Sequence, residues 1–159
     1  MNALFILLAC VAAPPVLVVA DAAQPQRDVM PHAEFLVDAA AQWTLADVTS
    51  GAPSHGFTAQ LHLDPWPRKP LAIWVRFAVA SGLPEPRRYL LEVTPQWLHA
   101  DVFVRFPDGA TSEKTTGRIL PLRARDVPRG ESMVFLPLRP GVETTVYVRL
   151  FQDLSLIHI

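Results

Sequence analysis

Arginines and aromatic residues alternate on two apolar stretches of this chain, residues 71–79 (LAIWVRFAV) and 146–150 (VYVRL). Side chains alternate across an extended strand, so Trp74 and Arg76 point one way while Ile73, Val75, Phe77 and Val79 point the other. Tyr147 and Arg149 repeat the arrangement in the second stretch. A guanidinium group grips a carboxylate or a pair of sugar hydroxyls through parallel donors. An aromatic plate stacks on an apolar sugar face or on the guanidinium itself. Two such strands side by side would form a cationic, ring-bearing face suited to a sugar or a small anion.

Reading the other strand-like stretches by the same parity adds Glu92, Phe103 and Arg105 to this face. Trp66 and Trp97 fall in loop-like stretches, where burial is a poorer explanation for a tryptophan. The charged run Arg123-Ala124-Arg125-Asp126 offers Arg125 as a further anion grip. The candidate ligand-binding set is therefore Trp74, Arg76, Trp97, Arg105, Arg125, Tyr147 and Arg149. A plainer account of the same residues has Arg76 and Arg105 pairing with Glu92 across strands, and Trp74 packed beneath residues 39–48.

Other chemistries lack their signatures. There is no GxSxG, P-loop or GxGxxG pattern. The five histidines (His32, His55, His62, His99 and His158) show no HxxxH or HExxH spacing, and Cys10 is the lone cysteine. No catalytic residue, metal or cofactor is expected. A glycosidase would need two carboxylates in one cleft, and the acidic residues are scattered singly. The formal net charge of -1 supplies no basic field for nucleic acid.

The elements that must carry the candidate residues are short strands. The chain has 159 residues, half of them apolar, enough for one domain with a real core. Its 16 prolines are about twice the average share and punctuate the chain with turns. Strands are expected over residues 33–38, 57–63, 71–79, 88–93, 101–106, 111–120, 132–138 and 144–151. The strand at 88–93 is expected to pair with the central one, because short connections join neighbours. Thr44 with Asp47 three residues later forms a capping-box pattern and predicts one short helix near the N-terminus. Short strands at near-regular spacing with turn chemistry between them predict an antiparallel β-sandwich.

Residues 3–20 are almost wholly apolar and read as a secretory signal peptide ending by residue 23; the alternative is a membrane anchor, disfavoured by Pro14-Pro15 and by a length near the lower limit for a span. Residues 24–32 form a polar lead-in and residues 33–155 the domain. Residues 156–159 look like a truncated or non-native end. A cleaved chain would contain no cysteine and no disulfide, as suits an exported bacterial domain with enough core to need no staple.

The motifs AEFLVD, WTLADV, IWVRFAV, RRYLLEV, DVFVRFPDG, RARDVP, VFLPL and PGVETTVYVRL, in that order, resemble the extracytoplasmic sensor family 7TMR-DISMED2. That resemblance covers residues 33–155. It implies a jelly-roll β-sandwich similar to carbohydrate-binding modules, in the periplasm, joined through a missing C-terminal seven-helix domain to the membrane and to intracellular output modules. Trp74, Arg76, Arg125, Tyr147 and Arg149 fall on recurrent motif positions of that family. The chain departs from the pattern at Ala80-Ser81, where an Asn usually follows the WVRF strand, and at Arg105, where an aromatic usually precedes the PDG turn. The expected partner is a sugar or small anion. The alternative is a protein-interaction module, possible as a homodimer, with no small ligand.

Overall fold

The computed structural model describes residues 15–19, 26–51, 56–61, 70–94, 97–128 and 132–152. Its strands are β1 (Leu17–Val19), β2 (Glu34–Asp38), β3 (Leu71–Ser81), β4 (Tyr89–Glu92), β5 (His99–Arg105), β6 (Thr111–Thr116), β7 (Met133–Leu136) and β8 (Glu143–Gln152). One short helix, α1 (Leu45–Ser50), follows β2. Among the described residues no helix is long and apolar enough to cross a membrane.

Six strands form one sheet and β4 and β7 form a second, giving an all-β sandwich. β3 is the axis of the larger sheet. β8 runs antiparallel along nearly its whole length, from Leu71↔Gln152 to Ala80↔Glu143. The opposite edge is shared end to end. β2 pairs antiparallel with Ala72 to Arg76, and β1 pairs parallel with Val79 to Ser81. β5 lies beyond β8, and β6 forms the outer edge. An eleven-residue apolar strand is long for a globular protein, and it is satisfied here because partners cover both of its edges.

The larger sheet is buried on both faces. Its inner face carries Ile73, Phe77, Val79, Val102, Val104, Val146 and Val148, packed towards Leu91, Val134 and Leu136 of the second sheet. Its outer face carries a smaller apolar cluster of Leu36, Val48, Trp74 and Tyr147, flanked by Trp43, Leu45, Phe57 and Phe103. α1 supplies two members of that cover, Leu45 and Val48. Thr44 caps the helix as its sequence predicts: its hydroxyl meets the Asp47 N–H, and the Asp47 carboxylate accepts from the Thr44 N–H at 2.8 Å. Gly51 ends the helix in the left-handed conformation, φ 76°, which glycine adopts without a Cβ clash.

Several expectations are corrected. The strand at 88–93 exists as β4, but it pairs with β7 in the second sheet and not with the central strand. Chain proximity failed as a guide because β2, β1 and β8 already occupy both edges of β3. Of the strand expected over 57–63, the described part makes only an isolated bridge, Phe35↔Thr58. The strand expected over 111–120 stops at Thr116. Gly117 then turns at φ 128°, where an added Cβ would lie 2.5 Å from the Leu98 carbonyl oxygen. Trp66, most of the apolar stretch 3–20 and residues 156–159 lie outside the described residues. Within that apolar stretch, Leu17–Val19 form β1, with Leu17 buried in the inner core.

Candidate functional site

Register builds the candidate site row by row on the outer face of the larger sheet. In one row Glu34, Arg76, Tyr147 and Phe103 stand side by side on β2, β3, β8 and β5. In the next stand Leu36, Trp74, Arg149 and Asp101. Because the side-chain period is two, all eight project to the same side.

The first row is closed internally. The Nε of Arg76 donates to Glu34 Oε2 at 2.9 Å, and its Nη2 donates to the same oxygen. The guanidinium also lies 4.2 Å from the centre of the Phe57 ring. Phe57 in turn meets Tyr147 edge-on, with ring centres 6.2 Å apart. Glu34 is only 6% exposed, so Arg76 is its neutralising partner. The expected Arg76–Glu92 pair does not form, since Glu92 sits on β4 in the other sheet.

The second row is less complete. Arg149 donates from Nη2 to the carbonyl oxygen of Ala41 at 2.8 Å. Its Nη1 stands 3.8 Å from Asp101 Oδ2, an ion pair beyond hydrogen-bond length. Asp101 Oδ1 is taken by His99 Nε2 at 2.8 Å and by the Thr115 hydroxyl at 3.1 Å. The guanidinium carbon lies 5.9 Å from the Trp74 ring centre, and Trp74 stacks on Phe103 with ring centres 5.9 Å apart. Two donors in this row are buried without an acceptor among the described residues: Nε1 of Trp74 and Nε of Arg149. Buried N–H groups are nearly always satisfied, and an orphan is costly.

Over this row runs the connection from β2 to α1. Asp38 accepts the Trp43 N–H at 2.8 Å and the Ala41 N–H bonds the Asp38 carbonyl at 3.1 Å. Ala41 itself holds φ 52°, a conformation that a residue with a Cβ seldom adopts. Its carbonyl is thereby presented to Arg149. The connection is a strained strap fastened to the sheet by Asp38 at its start and by Arg149 at Ala41.

Of the residues expected at a site, the structure brings Trp74, Arg76, Tyr147 and Arg149 together. Trp74 and Tyr147 are not open plates, however, at 0% and 7% exposure. Arg105 shares their face and is exposed, two residues along from Phe103 and in register with Thr145. Trp97 belongs elsewhere: it is buried in the inner core, because its loop folds back against Arg118. Arg125 is also off the face. Its Nε and Nη2 donate to the Leu120 carbonyl at 3.1 and 2.9 Å, organising the connection after β6. Sequence reading missed Glu34, Asp101 and Ala41. Asp101 was within reach, since it shares the parity of Phe103 and Arg105. Ala41 carried no signal.

Among the described residues no group of three or more His, Cys, Asp or Glu could hold a metal ion. The family model 7TMR-DISMED2, described as "7TMR-DISM extracellular 2", matches residues 30–157. No curated protein and no solved structure matches the chain.

Proposed function

This chain belongs to the 7TMR-DISMED2 family, the extracellular part of a seven-transmembrane receptor; on that premise we propose that it binds a small anion or a sugar at Trp74 and Arg149, as a binding domain and not a catalyst. The membership places the domain outside the cytoplasmic membrane, in a sensing role. One observation carries the choice of ligand. Trp74 Nε1 and Arg149 Nε, on facing residues, are buried donors that no acceptor among the described residues meets. A carboxylate or a hydroxyl oxygen reaching either donor would give it the acceptor it lacks.

A carboxylate held bidentately by Nε and Nη2 of Arg149 would compete with the Ala41 carbonyl for Nη2. Ligand binding would then loosen or reset the strap over residues 39–44, together with α1 behind it. That gives a sensor a moving part driven by differential contacts in its two states.

A thermal-shift screen with monosaccharides and small organic acids tests the proposal. One of these classes should raise the melting temperature. Trp74→Phe and Arg149→Gln should each weaken that response about tenfold or more, as expected for losing a hydrogen bond to a buried or charged donor. Stabilisation that survives both substitutions unchanged would sink the site.

A further inference from the structure

The opposite face of the larger sheet holds a second feature. Between the two sheets lies a cleft of about 650 Å³. Its floor is Val75, Phe77, Val148 and Leu150, and Leu91 and Met133 form a wall. Protein interiors contain few voids larger than a water molecule, whereas ligand pockets run from about 300 to 1,000 Å³. The gap follows from the topology. A two-stranded sheet covers a six-stranded one, and among the described residues β4 has no strand on its outer edge. Residues 26–30 form the other bank. The Asp28 carboxylate accepts the Met30 N–H at 2.9 Å, and the turn Met30–His32 fixes the segment.

The cleft continues into a smaller one of about 260 Å³, which shares Arg27, Val29, Phe77, Leu90 and Leu91 and runs on past Arg88 and Tyr89 to Val79 and Leu138. Most of the residues lining the two clefts are apolar. Polar groups stand at the lining's margin: Arg27, Asp28, Glu92 and Thr94. Met30 and Leu90 are 60% and 52% exposed beside it. Over the apolar floor water would find few partners, so an apolar chain is the better guest there, while the polar margin is left for a head group.

We infer that this inter-sheet cleft binds a soluble medium-chain amphiphile: an unbranched acyl chain in the trough, its carboxylate head at the margin by Arg27. This goes beyond the anion or sugar site, shares no side chain with it, and stands or falls separately.

Calorimetric titration with acetate, hexanoate, octanoate and decanoate, each below its micelle concentration, tests the inference. Affinity should rise about fourfold per added methylene from hexanoate to decanoate, and any acetate signal should be untouched by the cleft-filling substitution. Val75→Trp, which fills the floor, should abolish decanoate binding while circular dichroism stays that of the wild type. Should Val75→Trp misfold, Met133→Trp fills the wall and should give the same loss. The inference is overturned by an affinity that is flat with chain length, by binding that survives a folded cleft-filling variant, or by attachment to phosphatidylglycerol vesicles without any binding of free decanoate.

Discussion

Trp74 and Arg149 face each other across β3 and β8, and each keeps a buried N–H that no oxygen of the described residues accepts. The guanidinium of Arg149 is meanwhile committed at its far end to Ala41, on the strap from β2 to α1. A carboxylate bridging Nε and Nη2 of Arg149 would therefore displace the strap carbonyl from Nη2.

Trp74→Phe should cost little in the unliganded domain. Shrinking the ring leaves a small cavity, but it also removes an orphan donor whose desolvation costs about 1–3 kcal/mol. The two effects oppose, and chemical denaturation should find a net change within about 1 kcal/mol. Trp74→Ala removes the whole plate under α1 and stacked on Phe103, and should cost about 3–5 kcal/mol.

Arg76 and Glu34 should behave as a unit. Removing Arg76 leaves a buried carboxylate without its partner. Arg76 is itself 33% exposed, so the cost should fall below that of a fully buried pair. Arg76→Met is expected to destabilise by about 2 kcal/mol. Arg76→Met combined with Glu34→Gln should cost less than the sum of the two, with a coupling of about 1 kcal/mol or more in a double-mutant cycle. Strict additivity would mean the pair contributes nothing as a pair.

The helix cap sets an acid limit on the strap. The Thr44 backbone N–H, and then its hydroxyl, hold the Asp47 carboxyl below its ordinary value of 3.8. A carboxylate with a depressed folded pKa stabilises the fold above its unfolded value, and that contribution disappears as pH falls through the folded one. Hydrogen exchange of the α1 amides should therefore quicken as pH drops below about 4, after correction for intrinsic rates. Asp47→Asn should remove that pH dependence, and an unchanged acid profile in the variant would refute the assignment.

Gly117→Ala should end the β5–β6 hairpin badly. The new Cβ would meet the Leu98 carbonyl oxygen at 2.5 Å, at a φ of 128° that residues with a side chain rarely adopt. A loss of about 2 kcal/mol or more is expected in thermal or urea unfolding.

Much of this fold was legible locally. The period-two pattern marked β3, β5 and β8, and the Thr44/Asp47 pair marked α1, because these signals lie within a few residues of one another. What escaped depends on distant partners. Nothing within RYLLEV says which sheet it joins; that follows from β3 having both edges filled. Parity correctly put Trp74, Arg76, Tyr147 and Arg149 on one face. It could not tell that Phe57, Trp43 and α1 would roof that face, turning an expected open platform into a second small core. Trp97 misled for the same reason, since a loop residue can be folded under by a neighbouring strand end.

The central claim is that a ligand oxygen meets Trp74 Nε1 and Arg149 Nε. Proton–nitrogen NMR reads both groups directly, with Trp74→Phe assigning the indole signal. Titration with the ligand from the thermal-shift screen should shift the Trp74 indole and Arg149 Nε–H resonances downfield together, with the amides of residues 39–44 moving at the same ligand concentration. A ligand that saturates the domain while both of those resonances stay in place would contradict the account.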